Sequence, residues 1–431
     1  MASLPEKIRK KTSECFRAIR QFNHQDLLKG AFVIAVVICG ALARIKLFPN
    51  DSGDLSRFVI PWYEYLRDNG GFRAVGNEFG DYTPMYYYFL AFLTYTEIPV
   101  KVGVKVFSGI FELICAVYIK RILDIEYRGT SRPLLGFAIA SMLPTAITNS
   151  GAWGQCDGIY TCFVVMSLYY FLKGRDLVSM GVFGVALSLK LQAIFFIPFI
   201  GVMVMRRKLR LRSLLMIPAV YIVSILPAVF AGGNFLRLLT VYTRQSGQYH
   251  SLNMALPNVW SLLDGVDPGL LGSSGIFFAG GATLIIMYYC VFGAPDNYKL
   301  TVRGAVVTAA LSCFTVPYFL PHMHERYYFC SDMLVLAAAL CFPQRIWLIA
   351  STQICSFIAV AGNIFGKERF DMRIVAMIET VSLVAVLLSL RDEYNSTEGR
   401  ELVMRFEQQK SLKKGVKHKN PVNKSRTAKH R

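Results

Sequence analysis

An all-α polytopic membrane protein is the fold class that the sequence predicts, and three observations carry the prediction. Of the 431 residues, 54% are hydrophobic and only 17% charged, where soluble globular chains have roughly 45–50% and about 25%; the mean hydropathy is +0.41. The apolar residues gather into about a dozen runs, several near the ~17–25 residues that cross a hydrocarbon core. Lys and Arg concentrate between alternate runs, as the positive-inside rule requires. This pattern excludes a soluble enzyme and a disordered chain. A disulfide-stapled secreted domain is excluded too, because the ten Cys contain no CxxC pair and mostly lie inside apolar runs.

The elements follow in order. Residues 1–29 carry seven Lys/Arg and form a cytoplasmic N-terminal segment, with no small-residue cleavage site before the first apolar run. Spans are expected at 30–48, 102–119, 133–150, 158–172, 177–189, 191–205, 213–231, 275–293, 304–320, 327–343, 346–362 and 374–390. The stretch 177–205 is interrupted by Lys190 and Gln192. One helix there would export the cluster Arg206 to Arg212, so two short or broken helices are expected. Twelve spans place both termini inside, with 33 Lys/Arg on the inner side, 10 on the outer side and 4 at span edges. The net charge of +19 is thereby a property of cytoplasmic loops and does not call for nucleic acid. A transmembrane domain over 30–390 is followed by a basic tail, 391–431, expected to be disordered. Beyond residue 409 that tail has nine Lys/Arg and no acid, which also suits anionic headgroups.

Two outer loops, 49–101 and 232–274, exceed the length at which loops usually carry function. The first opens with Asp51 and Asp54. Each can serve as general base, metal ligand or turn former, and Asp54 is also a plausible N-cap for 55–68. The loop closes on Asp81, Tyr82, Thr83 and Pro84, then Tyr86, Tyr87 and Tyr88. Pro84 can start a helix capped by Thr83 or Asp81. The tyrosines suit either an interfacial aromatic belt or stacking on a sugar. Next come Trp153, Gly154, Gln155, Cys156 and Asp157, where the glycine allows a tight turn and the polar side chains offer hydrogen bonds. No His adjoins Cys156 to activate it. A Lys within the membrane costs roughly 2.5 kcal/mol upward, so Lys190 either snorkels or binds a phosphate. In the second loop, Tyr242, Arg244, Gln245 and Tyr249 make an aromatic and amide set around one cation, suited to a polyhydroxyl ligand beside an anion. The strongest local signal is His322, His324, Glu325 and Arg326. The i, i+2 histidines do not share a helix face as the i, i+4 pair of a zincin does. An extended segment can still present both, which keeps a metal site open. Arg326 can fork onto a phosphate or carboxylate.

All these clusters fall on the predicted outer side. A carboxylate base beside several cations suggests transfer of a group from a phosphate-linked lipid. At this point the sequence resembles the GT-C class of integral-membrane glycosyltransferases. The nearest branches are bacterial proteins related to the second GPI mannosyltransferase and the dolichyl-phosphate-glucose-dependent glucosyltransferases. The resemblance rests on Gly53-Asp54 with Arg57, Asp81-Tyr82-Thr83-Pro84, Trp153-Gly154-Gln155-Cys156-Asp157, Lys190-Leu191-Gln192, Gln245-Ser246-Gly247-Gln248-Tyr249 and His322-Met323-His324-Glu325-Arg326-Tyr327. It departs at Thr83-Pro84, where the glucosyltransferases carry two prolines, so their sugar specificity does not transfer.

The resemblance implies a GT-C-type helix bundle with a long, partly helical first outer loop, and an inverting transfer from a polyprenyl-phosphate-linked hexose, mannose or glucose. Asp54 would be the general base, with Asp51 as the fallback. Lys190, Arg326, His322, His324 and Arg244 would hold the donor phosphate. Asp81, Tyr82, Trp153, Gln155, Asp157, Gln245, Tyr249 and Glu325 would face the sugar or acceptor. The acceptor would be a glycolipid, glycan or protein at the outer face of a bacterial plasma membrane, or at the lumenal face of the endoplasmic reticulum. No cofactor and no nucleic acid are called for. The rival readings are a polyprenyl-lipid transporter working through the break at Lys190, a metal-dependent hydrolase built on His322, His324 and Glu325, and a lipid-binding scaffold.

Overall fold

A computed structural model describes residues 24–245, 251–263, 268–296, 298–366 and 370–396. In lipid, backbone N–H and C=O groups must be satisfied within the segment, so the apolar runs become helices. In chain order these are α1 (His24–Leu47), α2 (Ile60–Asp68), α3 (Pro84–Leu93), α4 (Val100–Glu126), α5 (Arg132–Met142), α6 (Pro144–Thr148), α7 (Asp157–Leu172), α8 (Asp176–Leu189), α9 (Ile197–Met205), α10 (Met216–Phe230), α11 (Phe235–Leu239), α12 (Val241–Gln245), α13 (Pro268–Phe292), α14 (Val302–Phe319), α15 (Phe329–Cys341), α16 (Leu348–Phe365) and α17 (Met372–Asn395). Among the described residues, eight segments are long and apolar enough to cross a membrane; they contain α1, α4, α5–α6, α10, α13, α14, α16 and α17. The other four predicted spans are shorter apolar helices: α7, α8, α9 with the turn before it, and α15. The protein is a multi-pass membrane helix bundle.

The bundle is graded from centre to rim. Every residue of α15 is buried, and α14 packs along it. At the rim, α1 exposes Ile34, Ile38 and Leu42, and α13 exposes Phe277 and Ile285. Such apolar surface is untenable in water and natural against lipid tails. Around the centre, α7 packs on α4 and α8, and α8 on α10.

The predicted interruption at 190 is a break in the helix. The α8 helix stops at Leu189, Lys190 is extended (φ −153°, ψ 137°), and a 3-10 turn over Leu191–Phe196 leads into α9. A helix end leaves its last carbonyls without intrahelical partners. Here loop side chains supply them: Thr83 Oγ1 donates to Ser188 O at 2.5 Å, and the Tyr242 hydroxyl donates to Leu187 O. Both long loops are thus pinned to the break. The second loop is also tied to the His322–Arg326 segment by a two-residue parallel pairing of β1 (Asn253–Met254) with β2 (Met323–His324).

Three local expectations change. The Thr83 side chain does not cap α3, because its hydroxyl goes to Ser188, and Asp81 does not cap it either. The cap bond at residue 55 comes from Ser52 Oγ, which accepts from Leu55 N at 3.1 Å, so the Asp54 carboxylate is not used there. Two of the three tyrosines after Pro84 face the bundle interior, where an interfacial belt cannot include them. Tyr86 and Tyr87 are buried, the Tyr87 hydroxyl accepts from Tyr82 N at 2.7 Å, and the Tyr88 hydroxyl donates to Ser224 O at 2.9 Å. Packing against the bundle takes rings that sequence position alone would leave at the interface. The N-terminal segment before His24 and the tail beyond Ser396 lie outside the described residues.

Candidate active site

A cavity of about 330 Å³ opens where the first loop, the break after α8 and the β2 segment meet. This size is typical of a small-molecule site. Asp54, Lys190 and Arg326 all line it. They come from three parts of the chain far apart in sequence.

Asp54 is held by one oxygen. Its Oδ2 accepts from Gln155 Nε2 at 2.7 Å and Trp153 Nε1 at 3.0 Å, and lies 3.3 Å from Arg326 Nη1. Its Oδ1 makes no hydrogen bond among the described residues. Burial alone would raise the Asp54 carboxyl, but Arg326, the Trp153 indole, Lys190 and the Gln155 amide outweigh it and hold it below the ordinary Asp value. The carboxylate is therefore ionised, oriented, and open on one side. Its supports depend on local backbone shape. Trp153 ends a π turn (Asn149–Trp153), and Gly154 then takes a left-handed φ of 73° that favours glycine. The Trp153 carbonyl accepts from Ser52 Oγ at 2.8 Å, which fastens this turn to the start of the first loop.

Lys190 is almost buried, and its Nζ donates to Asp157 Oδ1 at 2.8 Å, with the Tyr160 and Tyr327 rings about 6 Å away. Arg326 is the hub. Its guanidinium sits 2.8 Å from Glu325 Oε1, 3.3 Å from Asp54 and 3.7 Å from Asp157 Oδ2. It lies over the Trp153 ring at 5.2 Å. Against the opposing effect of burial, Glu325, Asp54, Tyr327 and Asp157 raise the Arg326 pKa well above its ordinary value. The cation is permanent.

The histidines diverge. His322 takes a left-handed φ of 64°, unusual for a non-glycine residue, and its Nδ1 is 2.6 Å from Ser251 O. Burial, with Arg326 and Lys190 against Asp54, pushes His324 down to about 3, so its ring stays neutral. Both line the cavity. Among the described residues no three His, Cys, Asp or Glu side chains are grouped to hold a metal ion, and Glu325 is engaged by Arg326. Cys156 is buried, which pushes its thiol up and leaves it protonated.

The remaining predicted residues separate. Gln155 and Tyr82 line the cavity, and burial raises the Tyr82 phenol well above its ordinary value, leaving it a hydrogen-bond donor. Asp81 and Gln245 line both this cavity and an open polar annex beside it, and the Gln245 amide donates to the Asp81 carbonyl. Arg244 lines only the annex, away from Lys190 and Arg326. Trp153, Asp157 and Glu325 stand behind the cavity wall, holding Asp54, Lys190 and Arg326. Asp51 is exposed, paired with Lys101 at 2.5 Å, and does not line the cavity. Tyr249 lies outside the described residues. Ser52 and Asn149, which fasten this site, carry no signal in the sequence that sets them apart. Gln192 lines the cavity, and its buried Oε1 has no partner among the described residues. Its signal was a second polar residue beside Lys190 in an apolar run.

No curated protein matches the chain at a significant level. The model of glycosyltransferase family 87 matches residues 81–317, more than half of the chain. The match begins at Asp81 and includes Trp153, Gln155, Asp157 and Lys190, while Asp54 and Arg326 flank it on either side. With a cavity inside this membrane bundle, the chain belongs to glycosyltransferase family 87 and is a multi-pass membrane glycosyltransferase.

Proposed function

We propose that the protein transfers a hexose, mannose or glucose, from a polyprenyl-phosphate-linked donor to an acceptor hydroxyl, with inversion at the anomeric carbon. The observation that carries this reading is Asp54: one carboxylate oxygen fixed by two hydrogen bonds and the Arg326 ion pair, the other without a partner among the described residues, beside Lys190 and Arg326 in one cavity. Asp54 takes the proton of the acceptor hydroxyl as its oxygen bonds to the sugar's C1. The bond from C1 to the phosphate oxygen breaks on the opposite face. Its electron pair stays on the polyprenyl phosphate, where Lys190 and Arg326 meet the developing charge. The Tyr82 hydroxyl and the Gln192 carbonyl serve the sugar hydroxyls. The predicted sidedness of the loops puts this reaction at the outer or lumenal face, with both termini cytoplasmic. The acceptor is a glycolipid, glycan or protein, and the membrane is a bacterial plasma membrane or the endoplasmic reticulum.

The test is transfer by purified protein from polyprenyl-phosphate mannose or glucose to a native lipid extract, comparing wild type with Asp54→Asn. Loss of at least ~100-fold in the folded variant, within the usual reach of a general base, is expected. Transfer that survives Asp54→Asn refutes the assignment of the base.

A further inference from the structure

The two neutral donors on Asp54 come from one short segment, and that segment is anchored deep in the bundle. Glu112 on α4 is fully buried. Its Oε2 receives Arg44 of α1 through Nε at 3.1 Å and Nη2 at 2.8 Å, and Ser150 Oγ at 2.6 Å. The other oxygen, Oε1, accepts from Asn149 Nδ2 at 2.9 Å. That amide also lies 3.3 Å from the carbonyl of Gln155, which accepts from Ser108 Oγ at 2.5 Å. The Asn149 carbonyl in turn accepts from Gly154 N at 2.8 Å and Gln155 N at 3.2 Å. Asn149 therefore grips the chain where it leaves the π turn, with Trp153 and Gln155 reaching out to Asp54. The fit is close: a Cβ on Gly158 would stand 2.6 Å from Glu112 Cγ.

We infer that Glu112 is a positioning residue for the base: its Oε1 fixes the Asn149 amide, and Asn149 fixes the segment that aims Trp153 and Gln155 at Asp54 Oδ2, while Arg44 balances the charge on Oε2. This rests on the reading of Asp54 as base. Arg44 keeps the Glu112 charge affordable; the carbonyl-type acceptor at Oε1 does the positioning.

Two neutral pairs separate these roles. Arg44→Met/Glu112→Gln removes both charges and keeps an oxygen for Asn149, whereas Arg44→Met/Glu112→Leu removes the oxygen as well. Both are assayed with the polyprenyl-phosphate sugar that wild type uses, as kcat and donor KM against pH. Asp54 also faces Arg326, Lys190 and His324, which neither pair touches. The Leu pair is expected to move the acid limb of kcat up by about one pH unit, a ~10-fold loss of rate below the limb, with donor KM unchanged. The Gln pair is expected to keep the wild-type limb. A limb that moves equally in both pairs, or in neither, overturns the inference. If the Leu pair does not fold, Asn149→Ala takes its place, and an unmoved limb there overturns it equally. Asp54→Asn runs alongside. Transfer that persists in it defeats the reading of the base, whatever the two pairs show.

Discussion

Replacing Lys190 by Met separates the stabilising role of this residue from its role toward the donor. Its Nζ lies 2.8 Å from Asp157 Oδ1 with side chains 5% and 0% exposed. At an effective dielectric of about 20, that contact is worth ~6 kcal/mol of Coulomb attraction before desolvation is counted. Breaking one side of a buried pair costs about 3–5 kcal/mol, because the surviving charge is stranded. Arg326 Nε, 3.7 Å from Asp157 Oδ2, takes up part of that charge, so the lower end, about 3 kcal/mol, is expected. Adding Asp157→Asn removes the stranded carboxylate and is expected to restore most of the thermal stability in detergent. Activity should not return with it. A cation aimed at charge that develops in the transition state is worth about 10²–10³ in kcat, and the double variant still lacks it. The assay pairs a thermal unfolding scan with single-turnover transfer from a polyprenyl-phosphate sugar. A double variant that recovers both stability and turnover would refute the reasoning and leave Lys190 as a structural residue.

Three further outcomes are expected. Arg326→Lys keeps a charge but loses the planar fork that reaches Asp54, Glu325 and the Trp153 face; kcat should fall about 10²-fold or more, as read from initial rates at saturating donor. The Asp54 carboxyl is held below its ordinary value, so the active ionised form persists as pH falls. Transfer should be flat from pH 7 to about 5, with its acid limb below the ~3.9 of a free Asp, and Gln155→Leu should shift that limb upward. His324 is held neutral down to about 3, whereas an unfolded His takes its proton near ~6.5. Between those values the unfolded chain binds the extra proton, so stability falls as pH drops. His324→Asn should flatten that fall in melting temperature measured against pH.

The order of helices was legible because a bilayer allows few alternatives: an apolar run of sufficient length must satisfy its own backbone. The break at Lys190 was legible too, since a cation and an amide together cannot sit quietly in a span. The motifs around Asp54, Gln155, Lys190 and Arg326 could be picked out because polar residues are scarce beside long apolar runs. Their roles were not separable. Asp51 and Asp54 look alike in the sequence, and only packing puts one on Lys101 at the surface and the other under Trp153, Gln155 and Arg326. Arg244 and Arg326 read as equivalent cations, yet the fold puts them in different cavities. Glu112 reads along the chain only as an acid inside an apolar run, because Arg44, Asn149 and Ser150 reach it from elsewhere in the chain. Hydropathy and charge asymmetry act along the chain, so the sequence alone determined the membrane bundle and the places where polar chemistry gathers. Hydrogen bonds and ion pairs act across it within about 3 Å, so only the tertiary structure decided which carboxylate lines the cavity with one oxygen open and which residues hold the other.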